Sequence, residues 1–164
     1  MKLADMNLRD YLDVLKSEAP APGGGSVSAL SGAQGAALVS MVCELTIPKE
    51  KYAEHRELCQ TVREEILKIY GLLVSGIDED TEAFNKVSAA MKLPKDTDEE
   101  KAVRSLALQE AVVTATEVPY RAMELCLAGL EITEKIVGKS NPNAASDLGV
   151  AALNLLAGVK GAYL

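Results

Sequence analysis

Apolar positions recur every three or four residues through most of the chain, which is the spacing of amphipathic helices. No segment sustains the two-residue alternation of a half-buried strand. Asn7 is placed to cap a first short helix carrying Leu8, Tyr11, Leu12 and Leu15. A Pro- and Gly-rich break follows, Ala19-Pro20-Ala21-Pro22-Gly23-Gly24-Gly25, with Ser26 as the expected N-cap of the next helix. That helix runs over Val27–Ile47 and ends or kinks at Pro48. The pattern then predicts helices over Lys49–Ser75 and Asp78–Met91, with Gly76 between them or within one longer helix. Asp96 or Thr97 caps a helix reaching about Leu127, with a kink expected at Pro119. A shorter piece over Leu130–Val137 ends at Gly138, and a last helix runs from about Ala144 to the end. The fold class is all-α, a mostly antiparallel helical bundle with a Gly-rich loop before a central small-residue helix.

The chain has 164 residues, enough for one domain spanning 1–164 with its own core. It contains no Trp and one Phe, so Ala, Leu and Val must fill that core, which suits closely packed helices. A formal net charge of −7 disfavours a nonspecific nucleic-acid binder, because phosphate contacts need a basic face. The three cysteines are an odd number without CxxC spacing. They argue against a disulfide framework or a zinc site and for a reducing, cytoplasmic setting. Cys43 and Cys126 read as small core residues, and Cys59 as lying beside a charged face. The only histidine, His55, sits among Glu54, Arg56 and Glu57 and reads as part of a solvated helix face.

The Val27–Ile47 segment has the length of a membrane span, and its small residues would permit helix–helix contact in lipid. Gln34 and Glu44 are poorly placed for that environment, and no second segment is apolar enough to accompany it. The central helix of a bundle away from any membrane is the better reading.

Three glycines before a helix start can present backbone N–H groups to a phosphate or carboxylate, helped by the helix dipole. The loop lacks the Lys-Ser/Thr of a Walker A motif and no strand precedes it, so it is not a dinucleotide turn. On its own it fits a flexible connector equally well. In context, Pro22-Gly23-Gly24-Gly25-Ser26-Val27 followed by a small-residue helix resembles the cyclodeaminase/cyclohydrolase family of folate enzymes, the family of the C-terminal domain of formiminotransferase-cyclodeaminase. Further stretches match in order. They are Met41-Val42 with Leu45-Thr46, Asp78 to Phe84, Leu93-Pro94-Lys95, Val118-Pro119, Asn141 to Asp147, and Gly161-Ala162-Tyr163. Family members continue beyond the Gly-Ala-Tyr region, whereas this sequence stops at Leu164. The resemblance therefore leaves the bundle to be completed by further chain or by a subunit partner.

The resemblance implies one of two reactions. A cyclodeaminase converts 5-formiminotetrahydrofolate to 5,10-methenyltetrahydrofolate and ammonia, and this is the first expectation. A methenyltetrahydrofolate cyclohydrolase opens the methenyl bridge with water. Neither implies a metal or any cofactor beyond the tetrahydrofolate substrate. A non-catalytic folate-binding or helical assembly module is the reading from a different class. Asp78, Asp80 and Glu82 read as lying at a helix start, where carboxylates are favoured in any case. The family motif makes Asp80 the acid/base residue, with Asp78 as runner-up. Lys49, Lys51 and Lys95 are candidates for the substrate's glutamate tail, or for several glutamates, although a solvated lysine is the ordinary alternative. Gly23, Gly24, Gly25 and Ser26 offer backbone donors. Asn141, Asn143 and Asp147 offer groups for a pterin edge, or simply a turn and an N-cap. The family also implies a homodimer.

Overall fold

The computed structural model describes residues 2–164. Five α-helices carry the chain: α1 (Leu8–Leu15), α2 (Gly24–Glu44), α3 (Arg56–Met91), α4 (Asp98–Glu134) and α5 (Ala145–Tyr163). Short 3-10 segments cover Leu3–Asp5, Glu50–His55 and Pro142–Ala144. Among the described residues there is no strand.

The contacts fix the directions. On α2 and α3, Glu44 pairs with Arg63 and Ser26 with Asp80, so these helices are antiparallel. Glu79 and Glu65 of α3 pair with Arg121 of α4 and with Lys135 at its C-cap, which is again antiparallel. Gly35 lies against Leu155, and Gly32 against Gly158, so α5 runs back along α2. The result is the expected antiparallel bundle, with α2 packed against α3, α4 and α5. α2 is long and apolar enough to cross a membrane by length and composition. Here those same residues are the centre of the bundle: Ala29, Ala33, Ala36, Val39 and Val42 are buried.

Small residues set the helix spacing. A Cβ on Gly35 would come within 2.7 Å of the Ala151 carbonyl, and one on Gly158 within 3.1 Å of the Ser28 carbonyl. With backbones this close, Ile66, Leu73, Ile136 and Leu155 suffice to fill the remaining core without large aromatics.

Several boundaries differ from the sequence expectation. Ser26 is not the N-cap: Gly23 is, and Ser26 lies in the first turn of α2. Of the two readings of Gly76, the structure takes the second: one helix of 36 residues runs through it, starting only at Arg56. Gly76 stays helical because it faces α2, with Ala29 Cβ 3.6 Å from where its own Cβ would be. Tertiary packing here outweighs the glycine's weak helix propensity. α4 likewise runs through Pro119 to Glu134, so Leu130–Val137 is not a separate helix. Its packing on α3 and α5 outweighs the hydrogen bond that proline removes. Thr97 caps α4 in a capping box with Glu100, and Gly138, at φ +72°, marks the break beyond its end. Cys59 is fully buried beside Cys43 rather than on a charged face. Burial pushes the thiols of Cys43 and Cys126 up to about 12 and about 11, which leaves them protonated and inert.

α3 and α4 outreach the other helices. Beyond Asp80 and Arg121 they continue as a two-helix arm, α3 for about 16 Å and α4 for about 35 Å at 1.5 Å per residue. Lys95 sits in the connector at its tip.

α1 is capped as expected, Asn7 Oδ1 accepting from Asp10 N at 3.0 Å. It buries Tyr11 against Ala29 and Ile77, leaving Leu8 and Leu12 exposed. The Tyr11 hydroxyl is the one buried side-chain oxygen without a hydrogen-bond partner among the described residues. Burial, then the nearby Asp80 carboxylate, raises its pKa above the ordinary tyrosine value. Tyr11→Phe removes an unsatisfied polar group and is expected to stabilise the fold by about 1 kcal/mol in urea titrations. A loss of stability would show that the hydroxyl has a partner after all.

Candidate active site

Asp80 lies in the middle of α3, not at a helix start as the sequence suggested. It nevertheless serves a helix start, that of α2. The N-cap position is Gly23, which has no side chain to cap with. The Asp80 carboxylate takes over that role from across the interface: Ser26 N–H donates to Oδ2 at 2.8 Å. The Ser26 hydroxyl lies 2.9 Å from both Oδ2 and the Ile77 carbonyl, and its single proton serves one at a time. The Thr81 hydroxyl stands 3.2 Å away. The anion at this helix N-terminus is thus the protein's own carboxylate, not an external phosphate or carboxylate.

Gly25 is required by this arrangement, because a Cβ there would collide with Asp80 Oδ1. Oδ1 rests against the Gly25 backbone and accepts no hydrogen bond among the described residues. Gly23 and Gly24 are different. Neither has a positive φ, and a Cβ on either would meet nothing within 4 Å. The space in front of them is open. A carboxylate oxygen without a hydrogen-bond partner, beside bare backbone, is available to a group that comes within hydrogen-bond reach.

Asp78 does not join this site. Its Oδ1 accepts from Leu3 N at 2.6 Å and its Oδ2 from Ala4 N at 3.5 Å, tying down the N-terminal segment. Nor do most of the other expected residues. Lys49, Lys51, Asn141, Asn143 and Asp147 gather at the opposite end of α2, about 30 Å away at 1.5 Å per residue. There the Asn141 side chain is consumed by the fold. Its Oδ1 accepts from the Tyr52 hydroxyl and from Asn143 N, both at 3.2 Å, and its Nδ2 donates to the Leu45 carbonyl at 3.4 Å. Asn141 is buried, so it ties two loops together rather than facing a ligand. Lys51 stacks over Tyr52, 4.6 Å from the ring centre. With His55 and Lys139 it lines a separate cavity of about 620 Å³. His55 is half-buried there, less solvated than its neighbours implied. Of the three candidate lysines only Lys95 lies on the Asp80 side of the molecule.

Tyr11, Thr81 and the Ile77 carbonyl are not legible in the sequence as site neighbours. Their proximity to Ser26 and Asp80 depends on how α1, α2 and α3 pack, and no local pattern encodes that.

The fold is an all-α bundle in which a carboxylate of α3 caps a glycine-rich helix start. Residues 7–164 match the formiminotransferase-cyclodeaminase family, and the chain belongs to it. It is 46% identical over 157 residues to the methenyltetrahydrofolate cyclohydrolase of Methylorubrum extorquens, covering 96% of this chain and 76% of that protein. It is 40% identical over 159 residues to the formimidoyltransferase-cyclodeaminase of Sus scrofa, covering 95% of this chain and 29% of that protein. The chain therefore spans under a third of the length of that two-activity relative. The crystal structure of formiminotetrahydrofolate cyclodeaminase from Thermotoga maritima superposes with a TM-score of 0.76 at 26% identity, covering 97% of this chain and 81% of that one. The chain is a member of a family of folate one-carbon enzymes.

Proposed function

We propose that this protein is a methenyltetrahydrofolate cyclohydrolase, with Asp80 as its acid/base residue. The 46% identity with a protein of that name along nearly the whole chain carries the choice of reaction. It shifts the weight from cyclodeamination, the first expectation from the sequence motifs. Asp80 carries the chemistry because Oδ1 is free while Oδ2 is fixed by Ser26. As water adds to the methenyl carbon, Asp80 takes its proton. It returns that proton to N5 as the carbon–N5 bond breaks, which leaves 10-formyltetrahydrofolate. The water's second proton is released to solvent. A fixed carboxylate also favours the cationic bridge before attack. Gly23 and Gly24 let the pterin approach the backbone, and Lys95 faces the glutamate tail, single or multiple. Asp78 stays structural.

Cyclodeamination remains the second reading, favoured by the Thermotoga maritima likeness. Supplying 5,10-methenyltetrahydrofolate and 5-formiminotetrahydrofolate separately decides between them. Loss of methenyl absorbance from the first, with no ammonia from the second, is expected. Ammonia release with methenyl formation would establish the deaminase instead. Binding of both without turnover would leave only a binding module.

We also infer self-association as a homodimer. Leu106, Val113, Tyr120 and Leu127 recur every seven residues on the outside of α4, all exposed and uncharged. The three thiols are free and buried, which fits a reducing compartment, and we place the enzyme in the cytoplasm.

A further inference from the structure

We propose that Phe84, the only phenylalanine in the chain, is the platform on which the p-aminobenzoyl ring of the substrate lies. The inference rests on the reading of Asp80 given above and extends it along the arm. Residues four apart on a helix share a face, so Phe84 follows Asp80 by one turn on the side that meets the start of α2. α2 begins at Gly24, and past that point α3 has left the bundle. Phe84 is therefore left 43% exposed, directly beyond the carboxylate. Met91 follows at the i+7 position, 58% exposed, at the last residue of α3, and Lys95 lies in the connector beyond it. The arm thus presents, in order, a carboxylate, an aromatic face, an apolar thioether and an ammonium group.

That order is the order of the substrate. The one-carbon bridge joins N5 and N10, the benzoyl ring hangs on N10, and the glutamate follows the ring. With the bridge at Asp80, the ring falls one turn outward, at Phe84, and the carboxylates point toward Lys95. Gly23 and Gly24 supply the remaining wall, for the pterin. Nothing within the chain requires glycine at either position, since both have allowed backbone angles and empty space in front. Glycine is used where a backbone must be approached closely. Phe84 is a positioning residue: it places the bridge over Asp80 and moves no proton.

The chain has no tryptophan, so Phe84→Trp introduces a single indole at the proposed platform, excited selectively over the five tyrosines. Titrating this variant with 5,10-methenyltetrahydrofolate is expected to quench its emission with the same midpoint as the KM. Phe84→Leu should raise KM about five- to tenfold, the scale of a lost aromatic stack, with kcat within about twofold of the parent. Its thermal midpoint should be unchanged. Phe84→Tyr should restore the parent KM. An unchanged KM in Phe84→Leu, or indole emission insensitive to saturating substrate, would overturn the platform. If Asp80→Asn abolishes turnover in the same series, that failure belongs to Phe84 alone. Full activity in Asp80→Asn would instead remove the site on which both rest.

Discussion

Asp80→Asn is expected to lower turnover by about a hundredfold to ten-thousandfold, the range attributed to a positioned acid/base group. Folate binding and the fold should survive. The asparagine carbonyl can still accept from Ser26 N–H, so α2 keeps its cap, at a loss of about 1–2 kcal/mol for the missing charge. What the amide cannot do is take a proton from water and hand it to N5. Kinetics read alongside a urea titration separate the two effects. Turnover within tenfold of the parent, in a folded variant, would assign the proton transfer to another group. A collapse of stability by more than about 4 kcal/mol would recast Asp80 as chiefly structural. Asp78→Asn, by contrast, should loosen residues 3–5 and leave chemistry nearly intact, because that carboxylate is occupied by Leu3 and Ala4 N–H groups.

The largest effect on stability is expected from Gly35→Ala. The added Cβ would stand 2.7 Å from the Ala151 carbonyl oxygen and 3.0 Å from Leu155 N, both backbone atoms of α5. A side-chain neighbour could rotate away, but a helix backbone can yield only by moving the whole helix. Alanine gains about 1 kcal/mol of helix propensity over glycine, which the overpacking should exceed, for a net loss of about 2–3 kcal/mol. That is a large part of the 5–15 kcal/mol typical of a folded domain. Gly71→Ala is the matched control. It too lies within a helix, but its Cβ would meet nothing within 4 Å, so it should stabilise by a few tenths to about 1 kcal/mol. Unfolding midpoints that shift alike for both variants would mean that α2 and α5 are not in backbone contact.

The small residues of α2 make close packing legible in the sequence, yet they do not say which glycine touches which neighbour. Gly35 meets α5, Gly32 meets Cys126 and Leu73, and Gly25 meets Asp80. In the sequence Gly32 and Gly35 are equivalent small positions of one helix and Gly25 is part of a loop. The sequence leaves Gly76 as a break or an interior position and reads Pro119 as a kink within a helix, and burial against neighbouring helices decides for one continuous helix in each case.

The chain's periodicity, caps and breaks by themselves determined an antiparallel helical bundle, and the ordered motifs determined its folate family. Helical spacing and cap chemistry are local, acting within a few residues. Only the tertiary structure decided that Asp80, 54 positions from Ser26, caps α2 in place of a side chain Gly23 lacks. It also separated Asp80 from Asn141 and Lys51, which the motifs group into one site. Which carboxylate meets which helix end depends on how long helices slide and turn against one another. Interhelical packing sets that register, and neighbouring residues along the chain carry no record of it.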